Sequence, residues 1–330
     1  METLYQSIEI DGTLRRTLLT FPKNVQGRRP AVLVLGGIGC FSVDSAADPQ
    51  DSYMRLAHDL GRRGFVVMRL EKSGVGDSQG PPCMTVDLVA EMHSYVVALK
   101  ALERDSHVDQ ERVYLFGHSI GTLMAPRIAN GEKVTGVIIA EAVGRNWIEY
   151  ELWNLRRQLE LAGESPAEVD ATLAIKEICM HRLLIEKENE SEIERTQPQC
   201  KVHNAYPAPP AYLQEVAAMN IVEPWMKFSL PVLAIYGSAD FVAVEADHWR
   251  IVDIVNSSHP GTATLKTING MDHHLDVAGT HQQAYNLRVR QHSSGPYDEE
   301  LSVAVLDWLC QRERCLPIPN SPQAASEPQR

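Results

Sequence analysis

The strongest chemical signal in the sequence is the run Gly117-His118-Ser119-Ile120-Gly121. It follows a short apolar run, 113–116, and precedes a stretch that is predicted to be helical. A nucleophilic serine needs a sharp, strained strand-to-helix turn, and only glycine leaves room for that turn two residues before and two residues after it. The start of a helix behind the serine also favours developing negative charge. Ser119 is therefore predicted to be a nucleophile, against the alternative of a serine in an ordinary tight turn.

Strand and helix patterns alternate at short spacing on both sides of this motif. The run 31–35 is apolar without polar alternation, which is typical of a strand buried on both faces of a parallel sheet, and further short strands are predicted at residues 65–70, 113–116 and 137–140. Stretches with helical spacing separate them, the longest at 86–104. The sequence thus predicts an α/β domain with a mostly parallel sheet covered by helices on both faces.

The alternation stops between residues 145 and 227, where helical spacing and many glutamates predict an inserted helical cap. A capping box at Ser165, with Pro166 at the first helical position, starts one of its helices. The predicted organisation is first core part, cap insertion, second core part and disordered tail, over residues 1–144, 145–227, 228–316 and 317–330.

Five motifs follow one another along the chain, namely Gly36-Gly37-Ile38-Gly39, residues 71–78, the Ser119 run, Gly237-Ser238-Ala239-Asp240 and Gly270-Met271-Asp272-His273. With them the chain resembles the α/β-hydrolase superfamily of serine esterases, lipases and peptidases, in particular cytoplasmic acyl esterases with a helical cap. The resemblance covers residues 8–145 and 228–312 and implies the α/β-hydrolase fold. Glycine replaces the usual histidine of the first motif, and Glu71 and Ser73 replace an aspartate and an arginine of the second, so the subfamily stays open.

The resemblance implies the chain order serine, acid, histidine for a catalytic triad. Asp240 follows the apolar run 232–236 and is the predicted acid, and His273 follows the strand that ends at Ile268 and is the predicted base. Two alternatives stay open. Glu141 stands at the end of an earlier strand and could supply the acid, while His274 is adjacent to the predicted base.

An oxyanion hole needs two backbone N–H groups aimed at the developing alkoxide. Motif position assigns them to Ile38, in the early glycine-rich loop, and to Ile120, the residue after the nucleophile. Five further residues, in the motif loops or the predicted cap, are predicted to contact substrate: Gly37, Cys40, His118, Trp147 and Trp153. The tryptophans have packing as their alternative role.

Other site classes fit poorly. The glycine-rich loop that begins at Gly37 has Ser42 at the sixth place, where a dinucleotide loop needs glycine, and no helical stretch follows it. Adjacent histidines cannot share a helical face, and the sequence has no HExxH motif. We therefore expect neither a cofactor nor a metal.

The composition of the chain limits which partners and which cellular compartment we expect. The 330 residues include 31 lysines and arginines against 43 aspartates and glutamates, a net charge of −12, which disfavours nucleic acid and anionic membranes. No apolar run is long enough to cross a bilayer, and no secretory signal is visible at the N-terminus. The six cysteines form no CxxC pair and are expected to be free thiols. A cytoplasmic location is expected, and the sequence does not indicate an oligomeric state.

The predicted function is hydrolysis of a carboxylic ester by acyl transfer through Ser119, His273 and Asp240. Thioesters of a carrier are the second choice, followed by peptide or amide bonds and lactones, since all of these bonds can use one triad. The expected partner is a small acyl substrate, free or bound to a carrier. A ligand receptor that keeps the fold without turnover is the alternative outside the enzyme class.

Overall fold

A computed structural model describes residues 1–23, 26–44 and 50–316, so the predicted tail at 317–330 lies outside the described residues. The eight strands are β1 Glu2–Ile10, β2 Thr13–Phe21, β3 Arg29–Leu35, β4 Val66–Leu70, β5 Val108–His118, β6 Gly136–Ala140, β7 Val232–Gly237 and β8 Ala263–Ile268. The twelve α-helices in these ranges are α1 Ser52–Arg62, α2 Leu88–Arg104, α3 Gly121–Gly131, α4 Trp147–Ala162, α5 Pro166–Met180, α6 Glu190–Thr196, α7 Cys200–His203, α8 Pro210–Ala218, α9 Val222–Met226, α10 Glu245–Ser258, α11 His281–Tyr285 and α12 Glu299–Cys310.

The strands form one sheet in the order β1-β2-β4-β3-β5-β6-β7-β8. The first two strands make an antiparallel hairpin through a turn at Asp11 and Gly12, and β2 pairs antiparallel with β4. All other neighbours pair in parallel. The mostly parallel sheet predicted from the uninterrupted apolar runs is therefore present.

Helices cover both faces of the sheet, because alternate strand residues point into two separate cores. Leu33 and Leu115 pack on one face with apolar residues of α2, α3 and α10. Their neighbours Val32 and Tyr114 pack on the other face with residues of α1 and α12. This arrangement explains why the central strands carry no polar alternation.

The parallel strands all end at one edge of the sheet, where the loops that follow them meet. Ser119 comes directly after β5, and Glu141 directly after β6. Asp240 follows β7 and His273 follows β8. Residues that are far apart along the chain are thereby brought to one place.

Helices α4 to α9 occupy the segment between β6 and β7 that is predicted to be a cap. The predicted capping box is present at the start of α5: the Glu168 N–H donates to Ser165 Oγ, and the Ser165 N–H donates to Glu168 Oε2 at 2.9 Å. The exact division into core and cap stays a prediction.

The prediction of free thiols is wrong, because all six cysteines form disulfides, Cys40–Cys83, Cys179–Cys200 and Cys310–Cys315. The partners are 43, 21 and 5 residues apart, so the fold brings the first two pairs together, while the third closes a short loop at the end of α12. The cytoplasmic expectation rested partly on free thiols, whereas disulfides favour an oxidising compartment. Of the helices in the described ranges, none has the length and apolarity required to cross a bilayer.

Candidate active site

Ser119 stands on a strained turn between β5 and α3, with φ at 54°. The turn is tight enough that both motif glycines are needed. A Cβ on Gly117 would lie 2.7 Å from the Gly121 carbonyl oxygen, and a Cβ on Gly121 would overlap the Leu35 carbonyl oxygen. The Ser119 N–H donates to the Ala140 carbonyl oxygen of β6 at 3.0 Å, which fixes the turn against the sheet. A left-handed conformation of a non-glycine residue is typical of a functional position.

The imidazole of His273 lies between Ser119 and Asp240. Its Nε2 is 3.0 Å from Ser119 Oγ, and its Nδ1 is 2.8 Å from Asp240 Oδ2. Because an ionised carboxylate can only accept, the proton of a neutral His273 ring resides on Nδ1, and Nε2 is left as the acceptor facing the hydroxyl. The arrangement can therefore move a proton from Ser119 to His273.

Electrostatics favour an ionised Asp240 and a basic His273. Burial by itself lowers the pKa of His273, but the facing Asp240 carboxylate outweighs burial and the pKa is raised. Burial raises the pKa of Asp240, and the charge and hydrogen bond of His273 outweigh it, so this pKa is lowered. The N–H groups of Val242 and Ala243 donate to Asp240 Oδ1 at 2.6 and 2.9 Å and stabilise the anion further.

Glu141, the alternative acid, lies behind Asp240 and is fully buried. Its Oε1 accepts the Gly237 N–H at 2.8 Å, and its Oε2 has no donor among the described residues. Burial and then the neighbouring Asp240 charge raise the pKa of Glu141 well above its usual range. The raised pKa favours the protonated form of Glu141 beside the ionised Asp240. The structure thus places Asp240 on the histidine ring and Glu141 one step further away.

Glu141, Asp240 and His273 offer donor atoms within 4.8 Å of one another, a spacing that could also hold a metal ion. A metal bound to Nδ1 of His273 would displace the hydrogen bond that orients the ring toward Ser119. Because the same atoms orient the ring, we interpret the cluster as the support that holds His273 toward Ser119.

The two other predicted histidine positions differ from His273. His118 is buried, and its two ring nitrogens lie 2.7 Å from the Tyr53 hydroxyl and 2.8 Å from the His273 carbonyl oxygen. Both ring nitrogens of His118 are therefore hydrogen-bonded within the protein, although the side chain also lines the cavity. The His274 ring packs edge-on against His273 with 5.8 Å between ring centroids, and burial lowers its pKa to about 4. Ser119 Oγ has its contact with His273, not His274.

Ile120 directly follows the serine, and Ile38 lines the same cavity as Ser119. Neither backbone N–H has an acceptor within the described part of the chain. Other backbone atoms of the loop that carries Ile38 are hydrogen-bonded to side chains. The Gly36 N–H donates to the Tyr95 hydroxyl at 3.1 Å, and Lys72 Nζ donates to the Gly37 carbonyl oxygen at 2.7 Å. Two unpaired N–H groups beside a nucleophile are what an oxyanion hole needs.

A cavity of about 330 Å³ opens from Ser119 toward the loop after α11. Gly37, Ile38 and Phe41 line its near side with the serine. Polar and charged side chains line the far side, which is formed by Asp51, Ser52, His274, Asp276 and Arg288. Arg288 is paired with the buried carboxylates of Asp272 and Asp276.

Three residues predicted to contact substrate lie away from this cavity. Cys40 is exposed and bonded to Cys83. Trp147 is buried in the cap against Tyr150, with ring centroids 5.5 Å apart. Trp153 is 50% exposed, and Arg145 lies over its ring. We correct these three predictions: one side chain is used in a cross-link, Trp147 packs within the cap against Tyr150 and Tyr206, and Trp153 lies on the surface under Arg145.

The sequence reasoning missed the residues that complete the cavity and fix its loops, namely Tyr53, Tyr95, Lys72, Asp276 and Arg288. Lys72 lies in the motif at residues 71–78, which assigns it no chemistry, and the other four belong to no motif. Each acts through a neighbour that only the fold provides. For Asp276 and Arg288 a weak signal exists, because both follow the predicted base within one loop region.

The model of a family described as serine aminopeptidase, S33, matches residues 43–276. Esterase EstD of Thermotoga maritima is 26% identical over 292 residues, which cover 88% of this chain. The chain spans 64% of the length of this curated relative.

Solved structures share the fold at low sequence identity. Est1E from Butyrivibrio proteoclasticus with bound ferulic acid has a TM-score of 0.59 at 15% identity, covering 93% of this chain and 98% of its own. The thioesterase domain from the curacin biosynthetic pathway has a TM-score of 0.53 at 12% identity, covering 94% of this chain and 100% of its own. These likenesses confirm the predicted α/β-hydrolase fold.

Proposed function

We propose an esterase function for this chain, which belongs to the α/β-hydrolase family described as serine aminopeptidase, S33. The observation that carries the proposal is the hydrogen-bonded path from Ser119 through His273 to Asp240, with links of 3.0 and 2.8 Å. A hydroxyl beside a base that an acid orients is the arrangement used for nucleophilic acyl transfer. These three residues are therefore the proposed catalytic triad.

In the first step Ser119 Oγ attacks the acyl carbon while His273 Nε2 takes its proton. The negative charge that develops on the acyl oxygen is stabilised by the N–H groups of Ile38 and Ile120. Asp240 stabilises the imidazolium and holds its ring in place. The tetrahedral intermediate collapses when the bond to the leaving alcohol breaks, and the alcohol leaves with the proton from His273.

In the second step His273 takes a proton from water, and the resulting hydroxide attacks the acyl group on Ser119. The same oxyanion site stabilises the second tetrahedral intermediate. Breaking of the Ser119 ester bond then releases a carboxylic acid, and the proton on His273 returns to the Ser119 oxygen.

Esters are the proposed substrates because an alcohol leaves more readily than an amine, and the relative Esterase EstD carries that activity in its name. A thioesterase function remains the second choice on chemical grounds, since the triad does not distinguish oxygen from sulfur esters. Charge counts against carriers that bear phosphate. The chain has a net charge of −12, and the carboxylates of Asp51 and Asp276 line the cavity. Arg288, the cation there, is already paired.

The test is a panel of p-nitrophenyl esters and acyl-CoA thioesters with acyl chains of two to twelve carbons. We expect turnover of the esters, with kcat/KM for the best ester above that for the thioester with the same acyl group. The reverse order would replace the proposal by the thioesterase alternative.

Labelling with a fluorophosphonate probe separates the enzyme from the receptor alternative. The probe phosphonylates only an activated serine, so we expect one adduct, at Ser119, in the native chain and none in Ser119→Ala. An unlabelled native protein would favour a binding protein that keeps the fold without turnover.

A further inference from the structure

Three consecutive hydrogen bonds connect the loop before Ile38 to the loop that carries His273. The Gly37 N–H donates to the Tyr53 hydroxyl oxygen at 3.0 Å. That hydroxyl lies 2.7 Å from His118 Nδ1, and His118 Nε2 lies 2.8 Å from the His273 carbonyl oxygen. All the groups in this path are buried, and the path passes through the residue adjacent to Ser119.

The direction of each bond in the path is fixed by chemistry. A carbonyl oxygen can only accept, so the proton of the His118 ring resides on Nε2. Nδ1 is then an acceptor, and the Tyr53 hydroxyl must donate to it. The hydroxyl oxygen is left to accept from the Gly37 N–H. Burial and then the charge of His273 lower the pKa of His118 to about 3, so the ring stays neutral and the directions hold at any pH near neutrality.

The path ends at the two parts of the site, the oxyanion donor and the base, that must be positioned relative to Ser119. Gly37 immediately precedes Ile38, a proposed oxyanion donor, and His273 is the proposed base. We propose that Tyr53 and His118 are positioning residues that hold the oxyanion donor and the base at a fixed separation on either side of Ser119. This inference rests on the proposed esterase function and adds to it a role that the triad residues do not perform.

The other hydrogen bonds of the loop that carries Ile38 cannot replace the path through Tyr53 and His118. The Gly36 N–H bonds the Tyr95 hydroxyl, and the Gly37 carbonyl bonds Lys72, but these groups lie on α2 and in the loop after β4. Of the three anchors, the one through Tyr53 is continuous with the base. A shift of an oxyanion donor by about 1 Å can cost on the order of 100-fold in rate, so the fixed separation matters for catalysis.

The first experiment compares Tyr53→Phe with the matched control Tyr114→Phe. Tyr114 is also buried, and its hydroxyl bonds Glu313 at 2.7 Å, away from the serine. Tyr53→Phe removes the acceptor of Gly37 and the donor to His118 and leaves the ring in place. We expect kcat to fall by about 10- to 100-fold, with KM changed less than about twofold. The control is expected to keep both constants.

A second readout separates positioning from a loss of stability. A boronic acid that forms a tetrahedral adduct on Ser119 places an oxygen in the oxyanion site, so its affinity reports the geometry there. In Tyr53→Phe we expect this affinity to fall by the same factor as kcat/KM, while the control binds as the native chain does. A variant that is merely less stable keeps its affinity at temperatures where it is folded.

Two variants of His118 each keep one of its two hydrogen bonds and remove the other. They also test the proposal if Tyr53→Phe does not fold. Asparagine can place an oxygen near the position of Nδ1, and glutamine can place an N–H near that of Nε2. His118→Asn keeps the bond to Tyr53, so we expect it to retain boronic acid affinity and to lose rate at the base. His118→Gln keeps the bond to the His273 carbonyl and is expected to lose boronic acid affinity.

The outcomes distinguish this inference from the proposed function. Absence of ester turnover and of fluorophosphonate labelling in the native chain would overturn both. An active native chain with Tyr53→Phe and both His118 variants within about twofold in kcat and boronic acid affinity would overturn the positioning role alone.

Discussion

His273 Nε2 lies 3.0 Å from Ser119 Oγ, although 154 residues separate the two positions along the chain. The proximity follows from the sheet, because β5 and β8 are parallel to each other and end at the same edge. Substitution of either residue therefore removes the contact between the base and the hydroxyl, and no residue next to it along the chain makes that contact.

Ser119→Ala is expected to lower kcat for activated esters by at least about 1,000-fold, because the acyl-enzyme cannot form. Ser257→Ala, which removes an exposed hydroxyl on α10, serves as the control and should keep the native rate. Steady-state assays with a p-nitrophenyl ester measure both. Near-native turnover in Ser119→Ala would contradict the proposed mechanism.

The pH dependence of kcat/KM should follow His273, which has to be neutral to accept the serine proton. Its pKa is raised above 6.5 because the Asp240 charge outweighs burial. Activity is therefore expected to fall as the pH drops through a midpoint above 6.5. In Asp240→Asn burial acts without the opposing charge, and the midpoint should move to lower pH. A native midpoint below 6.5, or one unmoved in the variant, would be inconsistent with this pairing.

Asp240→Asn should also lower kcat by on the order of 10,000-fold, because the ring loses the partner that sets its tautomer. Glu141→Gln keeps an acceptor for the Gly237 N–H and a donor toward Asp240, so we expect kcat within about threefold of the native value. Rates measured side by side at the optimum pH decide between the two acids. Equal losses would mean that Glu141 has a direct part in orienting His273.

Removal of the disulfides should destabilise the chain in the order of the loops that they close. The loop-entropy relation gives about 4 kcal/mol for Cys40–Cys83 and about 2 kcal/mol for Cys310–Cys315, with partners 43 and 5 residues apart. Urea unfolding of the paired serine variants measures both values. Unchanged stability of both variants, or thiols that titrate freely in the native chain, would show that these cross-links do not form.

The sequence was sufficient to predict the sheet and the positions of Ser119, Asp240 and His273. Apolar runs without alternation identify buried parallel strands, and parallel strands bring the loops at their ends together. The sequence favours Asp240 as the acid but keeps Glu141 as an alternative, since both follow a strand of the same sheet. Only the folded chain shows that the Asp240 carboxylate is the one that reaches the ring.

The cavity lining and the cysteine pairing could not be predicted in the same way. Trp147 and Trp153 lie at positions whose spacing predicts a helix. The spacing does not indicate which residues pack against that helix. The partner of Cys40 is 43 residues away, and no periodic pattern records that distance. Tyr53 contributes one hydroxyl to the site, and its position depends on how α1 packs against the sheet.

The segment of helices α4 to α9 leaves the sheet after β6 and returns at β7, and these two strands are hydrogen-bonded neighbours with Ala140 paired to Ile235. Because the two strands are parallel, the segment begins at the carboxyl edge of the sheet, beside Glu141, and crosses back to the amino edge before β7 begins. On the way it bonds the loop that holds the acid, since Arg157 of α4 donates to the carbonyl oxygen of Ala243, whose own N–H donates to Asp240. A change in the length or composition of these helices therefore acts on the orientation of the acid, although the ladder between β6 and β7 is made by the strands themselves.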